Sequence, residues 1–217
     1  MTETSIAPSG VAYLYGDLLQ ELFPSTSRLA LNENLPCRGT KIKKNDLAAL
    51  ILTTACVHWA KQDCVRLSLS SKGLLIKSRY VLVARTTKPA ARLDGIEGLF
   101  LAAISGKEKD DGVASIVSRI LRQDSVDPWG KVIKEAQRYL VGLGCFDEVE
   151  RKGIGKLLGK ELVPQCDRIA ALQAQVGAVR DLLAGFRSAQ NELYGQVWKD
   201  VGSGIASRQE TPDTDLD

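Results

Sequence analysis

DLAALILTTACVHWA, Asp46 to Ala60, decides how this chain is read. From Leu47 to Ala60 no residue carries a charge, and only Thr53, Thr54 and His58 interrupt the apolar run. An amphipathic surface helix shows a polar face every third or fourth position. This stretch lacks such a face, so as a helix it must be covered on nearly every side. Its fourteen uncharged residues fall short of the about 20 needed to cross a bilayer. It is expected to be a central core helix, with Asn45 as its N-cap and Lys43, Lys44 and Lys61 just outside the packing.

Upstream, residues 1–8 read as frayed. Val11 to Phe23 (VAYLYGDLLQELF) sets Leu14, Leu18, Leu19, Leu22 and Phe23 at helical spacing, interrupted by Gly16 and ended by Pro24. Residues 24–41 read as a loop with one short strand at Leu29 to Leu31. Downstream, Val65, Leu67 and Leu69 alternate with Arg66, Ser68 and Ser70, the signature of a half-buried strand. Ser71, Lys72 and Gly73 supply a turn. Leu74 to Arg85 (LLIKSRYVLVAR) returns as the partner strand. Two helices and a hairpin outline a winged-helix-like unit over residues 9–90.

A second unit of the same outline is expected over residues 91–165. Asp94 and Glu97 have capping-box spacing, and their helix runs to about Ile104. Val113, Ile116, Val117, Ile120 and Leu121 follow the i, i+3, i+4, i+7, i+8 pattern of a second helix. Asp127-Pro128 opens a third, with Asp as N-cap and Pro at the first helical position. CFDEVE and KLLGKELV read as its hairpin. The fold class is thus α+β, mostly helical.

Residues 166–201 close the ordered chain as one long amphipathic helix. In heptad terms the a positions are Ile169, Val176, Leu183, Gln190 and Val197, and the d positions are Leu172, Val179, Phe186 and Leu193. Eight of these nine are apolar, which is coiled-coil spacing and offers a homodimer. Leu182, Tyr194 and Trp198 widen the stripe, and Arg180 and Arg187 face Gln175 and Leu182 with no opposite charge. A wide stripe suits docking on the same chain. Residues 202–217 read as a disordered acidic tail.

The net charge of +3 conceals an asymmetry. From Arg38 to Arg92 there are twelve basic and two acidic residues, a net of +10; the remainder holds 17 basic and 24 acidic residues, a net of −7. From Val65 to Arg92 no acid occurs. One reading is an anion-facing surface; the other is a basic part that sits against its own acidic part. The anion-binding candidates are Lys41, Lys43, Lys44, Arg66, Lys72, Lys77, Arg79 and Arg85. Lys131, Lys134 and Arg138, at i, i+3 and i+7, are the alternative, a DNA-reading helix. Its own wing, with Asp147, Glu148 and Glu150, would repel phosphate. The basic wing and this helix fall on different units.

No reaction is legible. His58 is the only histidine and lies in the core helix, where a hydrogen-bonded core role outweighs a triad. Cys37, Cys56, Cys64, Cys145 and Cys166 are odd in number and form no CxxC pair. Free thiols in a reducing cytosol are expected, with no metal site and no cofactor. Gly153, Gly155 and Gly159-Lys160 fail the phosphate-loop pattern, because Ile154 stands where its first glycine belongs and Glu161 replaces the hydroxyl. Asp110-Asp111-Gly112 lacks the further calcium ligands and reads as a turn. The opening MTETSIAPSG lacks the basic and apolar regions of a signal peptide.

AYLYGD, then NDLAALILTTACVHWAKQDCVRLSL, then LDGIEGLFLAAI resembles the cytoplasmic C-terminal, winged-helix-like region of a family of predicted membrane proteins of unknown function. The likeness covers the first half of the chain, which departs from that family in having no membrane spans. The chain is also similar in helical content to Golgi phosphoprotein 3-like proteins, which dock on anionic lipid; no motif here carries their lipid site over. These likenesses imply a cytoplasmic protein, peripheral to a membrane, and supply no catalytic residue. The function expected is a non-enzymatic adaptor or scaffold meeting a protein partner or an anionic membrane surface. A winged-helix DNA-binding regulator, with nucleic acid as its partner, is the alternative.

Overall fold

The computed structural model describes residues 6–24, 31–73, 78–90, 94–107, 111–150 and 160–210. The mixed α+β class, mostly helical, is observed. Helices are α1 (Pro8–Leu14), α2 (Lys44–Lys61), α3 (Gly95–Ala102), α4 (Val113–Leu121), α5 (Pro128–Gly142), α6 (Cys166–Ala171), α7 (Val176–Ala189) and α8 (Asn191–Ala206). Strands are β1 (Asn32–Asn34), β2 (Lys41–Lys43), β3 (Val65–Lys72), β4 (Ser78–Arg85), β5 (Phe146–Glu150) and β6 (Lys160–Pro164). They pair as three antiparallel two-stranded ribbons, β1–β2, β3–β4 and β5–β6.

The apolar run forms α2 and is the core element. Every residue from Asp46 to Val57, and Trp59, is buried. Helices α1, α3, α5, α7 and α8 all pack on it. Fully burying each Leu, Ile or Val side chain there stabilises the fold by about 1.5–3 kcal/mol. The helix starts one residue before Asn45, after the extended Lys43, with no side-chain cap. Asn45 therefore sits within the first turn and is not the N-cap. Lys44 at the first helical position instead pairs with Asp127 at 2.8 Å.

The two halves leave their central helices in the same way. After α2, Asp63 takes a left-handed φ of 55°; after α5, Gly144 takes 71°. Cys64 N–H then donates back to Trp59 O at 3.0 Å, and Cys145 N–H to Leu140 O at 2.9 Å. This is the backbone closure that satisfies the last carbonyls of a helix. Each cysteine precedes the first strand of a hairpin. Each carbonyl accepts from the residue past the second strand, Thr86 N–H at 3.1 Å and Gln165 N–H at 2.9 Å.

Several sequence expectations change. The single helix over 166–201 is instead α6, a 3₁₀ turn (Leu172–Gln175), α7 and α8, with the chain turning at Gln190 (φ −145°, ψ 56°). A straight helix of that length would project about 52 Å and leave its second half bare. Folding back lets Leu193, Tyr194, Val197, Trp198, Val201 and Ile205 bury against the body. Of the nine heptad residues seven are buried in the chain itself; Phe186 is half-buried and Gln190 exposed. The tail expected from residue 202 is ordered as far as 210. Ile205 is fully buried, and Ser125 and Gln209 form a parallel bridge; 211–217 lie outside the described residues. The frayed start is likewise partly wrong, because Ile6 and Ala7 are buried. Their amides donate to Gln175 Oε1 at 3.2 Å and to Tyr139 OH at 3.0 Å.

The first helix ends at Leu14 and continues as a 3₁₀ segment (Gly16–Leu22), since Gly16 lies against Leu47 and Ile42 where a Cβ would come within 3.0 Å of Leu47. Of the strand expected at Leu29 to Leu31, residues 29 and 30 lie outside the described residues; Leu31 is not in a strand, and β1 begins at Asn32. The Asp94–Glu97 capping box is not made. Glu97 is fully buried and accepts from Ser9 N–H at 2.7 Å and from the Ser9 hydroxyl, so it caps α1 and not its own helix. Asp127 does cap α5, accepting from Gly130 N–H at 2.9 Å.

The cysteines need the largest correction. Cys37 and Cys166, 129 residues apart, are joined by a disulfide with their Cα atoms 5.5 Å apart. Only Cys56, Cys64 and Cys145 are free thiols, all buried. Among the described residues no helix is long and apolar enough to cross a membrane.

Candidate anion-facing surface

Strand parity sorts the basic residues of the β3–β4 hairpin. Successive side chains alternate between the two faces of a ribbon. Val65 and Leu67 face the core on β3, and Val83, across from Leu67, and Val81, across from Leu69, face it on β4; Arg66, Ser68, Ser70 and Lys72 share the other face. Arg66 and Lys72 are exposed, with no hydrogen bond or ion pair among the described residues. Arg79 and Arg85 have the parity of the core face, at the two ends of β4. Arg79 pairs with Glu192 of α8, and Arg85 donates to Leu101 O of α3.

The remaining candidates divide in the same manner. Lys41 on β2 is exposed and unpaired among the described residues. Lys43 has a partner, and Lys44 is held by Asp127. Lys77 lies outside the described residues. The structure thus spends Lys44, Arg79 and Arg85 on contacts within the chain, and Glu192 and Asp127 come from its acidic remainder. The internal reading of the charge asymmetry holds in part: some of the basic segment is neutralised within the chain, while Lys41, Arg66 and Lys72 stay outward.

At the foot of the hairpin these elements enclose a pocket of about 350 Å³. Ala60, Val65, Leu67 and Phe186 form its apolar part; Arg66, Lys88 and Gln190 bring polar groups. Lys88 is opposed by Asp63 at 4.0 Å, an exposed pair of small worth. Lys88 belongs to the acid-free run yet carries no individual signal in the sequence. Phe186 and Gln190 arrive only because the chain bends between α7 and α8. Gln190, the polar a position, was the one hint of that bend.

The alternative DNA-reading row is largely committed. Lys131 Nζ donates to Gln123 O at 3.0 Å and Asp124 O at 3.2 Å. Arg138 pairs with Glu135 at 2.7 Å on the rim of a second pocket, of about 550 Å³, between α3 and α5. Lys134 is exposed. The acidic β5–β6 hairpin that follows α5 holds Lys160 on Glu148 at 2.6 Å.

His58 departs from the hydrogen-bonded core role expected of it: it is half-buried, its ring makes no hydrogen bond among the described residues, it lies edge-on to Trp59 with ring centroids 5.1 Å apart, and burial lowers its pKa. Burial pushes the Glu97 carboxyl up, against the pull of its Ser9 hydrogen bonds. Burial also raises the Asp111 carboxyl, but Ser105 N–H, the Ser105 hydroxyl, Gly106 N–H and the Arg119 guanidinium outweigh it and hold the group below its ordinary value. Asp111 therefore ties down the segment before α4; it is not in a turn, Gly112 bridges to Leu82 and precedes α4, and residue 110 lies outside the described residues. The glycines at 153, 155 and 159 lie outside the described residues. Among the described residues no group of three or more His, Cys, Asp or Glu could hold a metal ion. No protein-family model, curated protein or solved structure matches this chain.

Proposed function

We propose that this protein is a non-enzymatic interaction module, an adaptor or scaffold whose first half meets an anionic partner, a protein or a membrane surface, in the cytoplasm. The observation that carries the reading is that Arg66, Lys72 and Lys41 each point outward with no partner among the described residues; Arg66 also lines the pocket that holds Lys88 and Asp63. A surface of one sign attracts and orients an opposite partner without dictating a reaction. The helix–helix–hairpin order in each half supports a winged-helix-like outline, and with it the resemblance to the cytoplasmic region of the membrane-protein family. Lys131 and Arg138 are held by partners in the chain, which favours the adaptor reading over the DNA-binding regulator.

Retention of the full chain on heparin and on vesicles containing anionic lipid tests this, with duplex DNA run in parallel across a salt series. The parent binds heparin or vesicles at low salt and elutes as exposed charges are screened. Arg66→Glu, Lys72→Glu and Lys41→Glu together abolish retention while circular dichroism stays unchanged. A folded triple variant retained like the parent overturns the proposal. Tight, sequence-dependent DNA binding with a steep salt slope replaces it with the regulator.

A further inference from the structure

We infer that Cys37 and Cys166 form a thiol–disulfide exchange site, a surface disulfide that opens and closes while the fold stays intact. The chain partitions its five sulfurs by access. Cys56, Cys64 and Cys145 are buried thiols, and burial pushes the Cys56 and Cys145 thiols up and away from the reactive thiolate. The two residues that pair are the two at exposed positions. Exchange requires an attacking thiolate to reach a disulfide sulfur, and exposed positions permit that without unfolding.

Both ends of the bond are seated by other contacts. Cys37 lies between β1 and β2, whose base is fixed by buried Leu35 and Ile42. Beside it, Arg38 forks onto Asp17 with contacts of 2.9 and 3.1 Å, joined by the Thr40 hydroxyl at 3.0 Å. Cys166 opens α6, which is fixed by buried Ile169, by the Tyr15 hydroxyl donating to Ile169 O, and by Arg168 donating to Leu143 O at 3.3 Å. Opening therefore detaches the β1–β2 hairpin, which carries Lys41, from α6 without removing the anchors of either. Disulfides inside cells are commonly of this exchangeable kind, whereas secreted ones persist as closed staples.

The chemistry balances with a thiol reductant. Its thiolate attacks one sulfur of the pair, the cystine S–S bond breaks, and a mixed disulfide forms. The departing sulfur leaves as thiolate and takes a proton from water. A second reductant thiol attacks the mixed disulfide. Two reductant thiols become one disulfide, and Cys37 and Cys166 both become thiols. Oxidised glutathione reverses the sequence. This inference takes its intracellular setting from the proposed function and does not depend on the anion contact.

The test equilibrates the full native chain in glutathione buffers from oxidising to reducing, traps thiols with an alkylating reagent, and maps them by mass spectrometry. Circular dichroism and amide hydrogen exchange are recorded alongside. In oxidising buffer Cys37 and Cys166 are protected. In reducing buffer both are alkylated, at least about tenfold faster than the three buried thiols, as access dictates. Helical signal is unchanged, exchange rises in residues 32–43, and reoxidation restores protection. The variant Cys37→Ser stays folded and cannot close the bond: Cys166 is alkylated in reducing buffer and carries a glutathione mixed disulfide in oxidising buffer, which mass spectrometry identifies by its added mass. Four results overturn the inference: thiols at 37 and 166 already labelled in oxidising buffer, no opening at any poise, labelling of all five cysteines together as the helical signal is lost, or a Cys37→Ser chain that fails to fold.

Discussion

The β3–β4 and β5–β6 hairpins leave α2 and α5 through the same left-handed closure and the same cysteine. Their surroundings then diverge. On β4, Val81 and Val83 are buried, at 0% and 1% exposure; on β5 and β6, Val149 and Val163 are 48% and 39% exposed. The outer edge of β4 is also closed. Val81 N–H donates to the buried Asp200 carboxylate of α8 at 2.6 Å, and Val83 N–H donates to Asp111 O at 2.9 Å. Among the described residues the β5–β6 ribbon is anchored at its base by buried Phe146, whose ring centroid lies 6.3 Å from that of Tyr13, and beyond that its side-chain ties run within the ribbon and its flank, Lys160 to Glu148 and Gln165 to Asp147. A two-stranded ribbon is marginal alone and needs a third element to cover it. Here α8, more than a hundred residues away in the chain, makes the first hairpin part of the core. The second stays largely outside it.

The sharpest way to break this contrast is to lift α8. Gly204 lies against α4 so closely that an added Cβ would fall 2.5 Å from Ala114 O and 2.8 Å from Val117 Cβ. Gly204→Ala is expected to cost about 3 kcal/mol by overpacking, measured by urea unfolding, and to speed exchange of the Val81 amide. Gly185→Ala is the control. Nothing lies within 4 Å of the Cβ it would add, so it should stabilise α7 by about 0.5–1 kcal/mol.

Removing the edge cover comes next. Asp200→Ala leaves the Val81 amide and the Gln196 side-chain amide, which donates to Asp200 at 2.7 Å, without that acceptor. The expected loss is about 2 kcal/mol, within the range for an unsatisfied buried donor. In a protein of this size that lowers Tm by roughly 4–8 °C.

The two hairpins should also answer the same substitution differently. Val83→Ala is expected to cost about 1.5 kcal/mol, as buried apolar surface is lost. Val163→Ala, in the exposed ribbon, should stay within about 0.5 kcal/mol of the parent. Equal losses would mean that the second hairpin is covered in solution.

The smallest effect is in pH dependence, where the two carboxylates near β4 act with opposite sign. Asp111 is held below its ordinary value of 3.8, so the stability it contributes is present above that value and is lost as pH falls through its folded pKa. Burial raises the Asp200 carboxyl above 3.8, against its hydrogen bonds from Val81 and Gln196. Its contribution is full below 3.8 and declines as pH rises through the raised folded pKa. Thermal melts should show that Asp111→Asn flattens the acid side of the stability curve. Asp200→Asn should flatten the fall just above the ordinary carboxylate range.

Much of the local structure follows from short-range pattern. The absence of any charge from Leu47 to Ala60 left α2 no surface to offer water, whatever packed on it. Asp127-Pro128 fixed the start of α5 because a carboxylate acceptor and a pre-set φ suffice for a cap. Alternation in Val65 to Ser70 oriented Arg66 outward before any partner was known. These features depend on a few neighbouring residues, and they were legible one by one.

What only the tertiary structure decided lies at long range. The spacing from Ile169 to Val197 showed an apolar stripe but not that it would fold back at Gln190, since the energy that bends it comes from burial against α2, α4 and β4. Glu97 had capping-box spacing, yet the α1 amides and a dry core claimed its carboxylate. Cys37 and Cys166 meet across 129 residues, and no spacing rule reaches that far. Charge composition marked a basic segment, but which of its cations stay free was set by where Glu192, Asp127 and Leu101 O came to rest. Sequence fixes what each residue can offer locally; a compact fold determines which distant group is near enough to accept it.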